Sequence, residues 1–158
     1  MSLDANPQDL PSLADIGLDQ FTPYLMNRIM GRYNAALQSE MNKLGLTTAQ
    51  MRALAVLSER ESPLIRDLAV YAVVEQSTLS RALDKLQVEG MIERHTDTTD
   101  QRATRISLTP DGRAAFDRLW PHMAQAYARM FDGISEPERH AFTDTLQKVL
   151  KNVRLHDI

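Results

Sequence analysis

Gln76, Ser77, Thr78, Ser80, Arg81 and Lys85 fall within ten residues of one another, interleaved with Leu79, Ala82, Leu83 and Leu86. At helical spacing the leucines and Ala82 share one face, and the polar residues occupy the opposite face and its edges. Such a polar face has the chemistry to read a nucleic acid. Arg81 can pair with guanine through two parallel hydrogen bonds, a contact worth about 1–3 kcal/mol of discrimination. Gln76 can read adenine or hold a phosphate. The small hydroxyls of Ser77, Thr78 and Ser80 allow close approach and bond to phosphates or base edges. Lys85 adds a positive charge at the margin. A solvated surface helix would carry the same residue types, so this face does not identify a binder alone.

A second group lies downstream. Asp97, Asp100 and Arg102 sit in the turn-rich stretch 96–102, followed by Arg105. The spacing predicts that the two acids brace Arg102 across a turn, leaving it at a tip able to enter the negative potential of a minor groove. Arg105 is counted with the DNA-contacting set. His95, Asp97 and Asp100 superficially resemble metal ligands, but aspartates in tight turns usually cap backbone. No metal site is expected, and no cofactor.

The elements that must position these groups follow from periodicity. Apolar residues every fourth position from Phe21 to Met41 predict a helix over 21–43, stopped by Gly45. Thr47 or Thr48 caps a second helix with Met51, Leu54, Ala55 and Leu57 inside. A short helix over 65–72 buries Leu68 and Ala69, and another runs over 76–89 to Gly90. Strands are predicted over 91–94 and 104–109, forming a hairpin with a long polar tip. Thr109, Pro110 and Asp111 open a helix to about residue 130, with Pro121 expected to kink it. Ser135 to Glu138 opens the last helix, whose stripe is Phe142, Leu146, Val149, Leu150 and Val153. The expected class is mainly α with a small β-hairpin wing: a winged helix-turn-helix flanked by helices at both ends.

Composition narrows the function. The chain has 158 residues, no cysteine and a net charge of -3. That length supports a real core, and the missing cysteines exclude disulfides, thiolate zinc sites and a cysteine nucleophile. No apolar run approaches a membrane span, and no secretory leader pattern stands at the start, so a cytoplasmic protein is expected. Asp4, Asp9, Asp15 and Asp19 are the only charged side chains among the first twenty residues, and without them the remainder is +1. That stretch reads as a flexible acidic arm. From Glu75 to Arg105 there are six acids against five Arg or Lys, so DNA binding here depends on placement rather than bulk charge.

Pro63-Leu64, Leu68-Ala69, Ser77-Thr78-Leu79-Ser80-Arg81, Leu86, Gly90-Met91-Ile92-Glu93-Arg94, Asp97, Asp100-Gln101-Arg102, Leu108-Thr109 and Gly112 together resemble the MarR family of winged-helix transcriptional regulators. The spacing fits without a gap from Pro63 to Gly112. The resemblance implies a homodimer on double-stranded DNA, with 21–46 as a first dimerisation helix, 47–109 as the DNA-binding lobe and 110–158 as C-terminal dimerisation helices. It puts Gln76, Ser77, Thr78, Ser80 and Arg81 at reading positions, Arg102 at the wing tip and Asp100 as the acid orienting it. It also implies repression of pseudo-palindromic operators, relieved by a small aromatic or phenolic ligand. Val73 stands in a turn where the family often has glycine. Valine tolerates positive φ poorly, so the turn is expected to avoid it. Glu75 is a mediocre cap that would point an acid toward DNA.

The apolar stripes at both chain ends independently call for a partner surface, and Phe21, Phe142, Leu146, Val149 and Val153 are assigned to the dimer interface. Tyr24 and Arg28 in the first helix, with Met51 and Arg52 in the second, are the candidate ligand contacts, where an anion would need a cation or a donor. The competing reading is a winged-helix interaction module without specific DNA binding, which Glu75, Asp84 and the acidic arm favour. No nucleophile–base pair, metal cluster or phosphate loop supports an enzyme.

Overall fold

The computed structural model describes residues 11–156. Asp4 and Asp9 of the acidic arm lie outside the described residues. The elements in chain order are α1 (Leu13–Ile16), α2 (Thr22–Lys43), α3 (Thr48–Glu59), α4 (Ile65–Ala72), α5 (Gln76–Val88), β1 (Ile92–Thr96), β2 (Thr104–Leu108), α6 (Pro110–Met130) and α7 (Glu136–Val153). By contacts the chain divides into two units, one ending at residue 36 and one from Leu37 onward, with α2 running through the division.

In the first unit, α1 is a single helical turn inside the stretch expected to be a flexible arm. Ser12 and Asp15 close a reciprocal capping box around it, and the Ser12 hydroxyl and N–H hold the Asp15 carboxyl below its ordinary value. None of its residues is buried. The first part of α2 follows, with Leu25, Ile29 and Met30 exposed.

The second unit is built around α3, which packs against α4, α5, α6 and β2. Thr47 caps α3, accepting from the Gln50 N–H while the Gln50 side chain takes the Thr47 N–H. Its buried face is Gln50, Met51, Ala53, Leu54 and Leu57. Ala53 thus takes the inner place expected of Ala55, which is half-buried, because Gln50, Ala53, Leu54 and Leu57 follow the helical repeat. Leu68, Leu79, Leu83, Leu86, Ile92, Ile106 and Leu119 are buried in the same core. Each such side chain contributes roughly 1.5–3 kcal/mol.

The hairpin is antiparallel, pairing Ile92 with Leu108 through to Thr96 with Thr104. β1 therefore reaches two residues beyond its predicted end, since the Asp97 N–H still bonds the Ala103 carbonyl at 2.9 Å. Thr109 then joins three elements. Its Oγ1 accepts from the Gly112 N–H at the start of α6 and donates to the Gly90 carbonyl, and its N–H bonds the Met91 carbonyl. Gly112 packs so closely here that a Cβ would lie 2.0 Å from the Met91 oxygen. The helical run of α6 is unbroken through Pro121. At its end the Tyr127 and Phe131 rings meet at a tilt of 54°, and Phe131 meets Phe142 of α7 edge-on. α7 buries no residue of its own in the single chain. No helix among the described residues is long and apolar enough to cross a membrane.

Candidate nucleic-acid interface

α5 forms because Leu79, Ala82, Leu83 and Leu86 recur along one face, and all four are buried. Gln76, Ser77, Thr78, Ser80, Arg81 and Lys85 are consequently exposed together on the other side. The start of the helix has an unusual cap. Glu75 makes no side-chain bond to the helix backbone, and its carboxylate instead accepts the Ser77 hydroxyl at 2.6 Å. The second acid of this face is offset from a neighbouring element: Arg94 of β1 donates to Asp84 at 2.7 Å. Lys85 lies 3.8 Å from Glu89, a loose, exposed pair.

The turn between α4 and α5 overturns one expectation. Val73 adopts φ 52° and ψ 50°, the left-handed conformation it was expected to avoid. The helix end requires it. The Val73 N–H bonds back to Val70, and the Val74 N–H reaches the Ala69 carbonyl at 3.1 Å, the pattern that closes a helix through one left-handed residue. Such a backbone costs an L-residue on the order of 1–2 kcal/mol. Val73 gains no compensating burial, being 76% exposed. Its carbonyl is held by Arg52, whose guanidinium donates to it at 3.0 Å from α3.

The wing differs from its prediction at the tip. The acids do not brace the Arg102 guanidinium. Asp100 accepts the Arg102 backbone N–H at 3.0 Å, and the Arg102 side chain is exposed. Asp97 turns inward, only 4% exposed. One of its oxygens takes the Thr99 hydroxyl and the N–H groups of Thr99 and Asp100, and the other takes Arg105 Nε. These donors, led by the Thr99 hydroxyl, hold its carboxyl well below the usual carboxylate range. The Arg105 guanidinium also donates to the Ser62 carbonyl at 2.8 Å. Arg105, expected among the DNA contacts, is committed to tying the wing to the α3–α4 loop. The same loop adds an antiparallel bridge from Leu64 to Arg105 and a bond from the Ile106 N–H to the Pro63 carbonyl. His95 shares a 2.6 Å hydrogen bond with Ser107. Among the described residues no three His, Cys, Asp or Glu side chains are grouped to hold a metal ion.

Of the candidate ligand contacts, Met51 is buried in the core and Arg52 is engaged by Val73. In the first unit Arg28 donates to the Tyr24 hydroxyl at 2.8 Å. The supporting roles of Arg52 and Arg94 and the pairing of Asp97 with Arg105 were missed by the sequence reading, which anticipated the backbone capping by Asp97. Only Asp97 had a local signal, since Asp-x-Thr-Asp is the spacing at which an aspartate caps its own turn.

Two helices joined by a tight turn, the second with an exposed polar face and followed by a β-hairpin, define a winged helix-turn-helix protein. The MarR family model matches residues 44–103, which run from before α3 through α5, β1 and the wing tip and stop just before β2. A crystal structure of a MarR-family transcriptional regulator from Silicibacter pomeroyi is 59% identical, with a TM-score of 0.90, covering 94% of this chain and all of that one. The homoprotocatechuate degradative operon repressor of Escherichia coli is 30% identical over 115 residues, 72% of this chain and 78% of that protein. A structure of BpsR from Bordetella bronchiseptica, described for regulation of its DNA binding by 6-hydroxynicotinic acid, is 26% identical. It has a TM-score of 0.70 and covers 81% of this chain and 97% of that one. The chain belongs to the MarR family of transcriptional regulators.

Proposed function

We propose that this regulator is a homodimeric, sequence-specific repressor that binds pseudo-palindromic DNA and is released by a small aromatic or phenolic acid. The observation that carries the reading is the exposed face of α5. Gln76, Ser77, Thr78, Ser80 and Arg81 stand free of the core at the N-terminal half of a helix whose other side is fully packed. That is the half which meets base edges when such a helix enters a major groove. Arg102, exposed at the wing tip, supplies the minor-groove contact. Lys85 and Asp100 have flanking roles, a phosphate contact and the fixing of the tip backbone.

The dimer is supported by α7, an 18-residue helix with no buried residue but with Phe142, Val149, Leu150 and Val153 exposed. Leu146 and, before α2, Phe21 complete the proposed interface. Two lobes would then read half-sites about one helical turn, ~34 Å, apart. The ligand class is supported by relatives whose names refer to homoprotocatechuate and 6-hydroxynicotinic acid. Tyr24 and Arg28 are the proposed contacts for it, since Met51 is buried in the core and the Arg52 guanidinium is taken by the Val73 carbonyl. The Arg94 bond to Asp84 offsets one of the acids that favoured a protein-interaction module.

Selection of bound sequences from a random DNA pool, at moderate salt, tests the reading. Enrichment of an inverted repeat with half-sites one turn apart is expected. A folded dimer that enriches nothing, with and without prior ligand stripping, overturns it in favour of the interaction module.

A further inference from the structure

The described residues include two non-glycine residues with positive φ, Ser62 and Val73. They flank α4, the first helix of the helix-turn-helix, one on each side. Both have the carbonyl oxygen held by an arginine from a distant part of the chain. Arg105 donates to Ser62 at 2.8 Å and Arg52 to Val73 at 3.0 Å. At Val73 the left-handed backbone turns the carbonyl away from α4, which it ends, so that oxygen finds no helical donor. A guanidinium placed there holds the carbonyl direction, and with it the backbone torsions of the residue.

We propose that Arg52 is a positioning residue for DNA reading: by holding the Val73 carbonyl it keeps the α4–α5 turn left-handed and so sets the direction in which α5 presents Gln76 to Arg81. This rests on the proposed function. Three features support it. Arg52 lies on α3, which packs against both α4 and α5, so its guanidinium refers the turn to the body carrying both helices. Only Val74 and Glu75 separate Val73 from the first residue of α5, so a change of torsion at Val73 swings the whole reading helix. Val73 itself is mostly exposed and β-branched, so side-chain packing contributes little to holding its conformation.

The test is a cycle of Arg52→Met, Val73→Gly and the double variant. Methionine keeps an unbranched stem and removes the donor. Glycine takes positive φ without strain, so it has no need of the clamp. Arg52→Met is expected to weaken operator binding roughly tenfold, the scale of one hydrogen bond to a charged group. In the Val73→Gly background the same change should cost less than about twofold. The salt slope of binding should match the parent's, whereas loss of a phosphate contact would reduce it by about one. Unchanged affinity in Arg52→Met, an equal loss in both backgrounds, or a reduced slope would each overturn the proposal.

A second readout needs no DNA. The NMR backbone shifts of Val73 should leave their left-handed values in Arg52→Met and keep them in the parent. If no protein of the set, the parent included, binds DNA, the proposed function fails. If the shifts change nonetheless, Arg52 still holds the turn. If they do not, the clamp is overturned as well.

Discussion

Asp97 and Arg105 form an ion pair inside the wing, eight residues apart and facing each other across the base of its tip. Asp97 belongs to the tip and Arg105 to β2, and Arg105 continues to the Ser62 carbonyl. The pair therefore joins the wing to the loop that precedes the helix-turn-helix. Asp97 is the more deeply buried partner, and it also organises the tip by accepting from Thr99 and Asp100. The wing is held by a buried carboxylate, not by the length of its strands.

Acid should loosen this wing. The Asp97 carboxyl lies below its ordinary value of 3.8, chiefly through the Thr99 hydroxyl and then the backbone N–H groups and Arg105. A depressed folded value means that its stabilisation is complete above the unfolded value and drains away as pH falls from there toward the folded one. Asp97→Asn should lower the Tm at neutral pH. The gap to the parent should narrow steadily below about pH 4. Thermal melts across pH check this, and a gap that is constant with pH would contradict it.

Gly112→Ala should be severely destabilising. The added methyl would stand 2.0 Å from the Met91 oxygen and 2.8 Å from Leu108 Cδ1, against backbone that Thr109 also fixes. Overpacking of this kind costs about 1–3 kcal/mol, and the upper end is expected where backbone must move. Urea unfolding measures it. Gly31→Ala, with nothing within 4 Å of the new atom, is the control.

Arg81→Ala should lower affinity for the selected operator by about 1–3 kcal/mol while changing non-specific binding far less. Arg102→Ala should weaken binding and leave the proposed dimer intact, since its side chain is exposed at the wing tip. Fluorescence anisotropy on operator and scrambled duplexes separates the two effects. Parental affinity in both variants would remove these residues from the interface.

Val149→Glu with Val153→Glu should dissociate the proposed dimer without unfolding the chain. Neither side chain is buried in the single chain, so the cost falls on association alone. Uncompensated charges in an apolar interface weaken it by about 3 kcal/mol or more, which is about a hundredfold. Sedimentation should show a monomer with parental circular dichroism. A persistent dimer would place the interface elsewhere.

The order of elements was legible in the sequence because each rests on a short-range rule. Leu79, Ala82, Leu83 and Leu86 specify the buried face of α5, and Thr109 with Pro110 specifies the first residue of α6. The polar face of α5 was legible for the same reason, because burying one side of a helix exposes the other. What the charged groups do was not legible. Arg52, Arg94 and Arg105 look alike as surface arginines in sequence. Their partners, Val73, Asp84 and Ser62, lie 21, 10 and 43 positions away. Only packing of α3, the hairpin and the α3–α4 loop brings those groups within hydrogen-bond reach. The left-handed Val73 belongs to the same class. Local propensity argued against it, and the helix-ending bonds with the Arg52 clamp outweigh that preference. Periodicity and capping, which act over a few residues, determined this protein's elements and the faces they bury. Tertiary structure decided which arginines remain free for a ligand or DNA, because a guanidinium's partner depends on distance in space and not on distance along the chain.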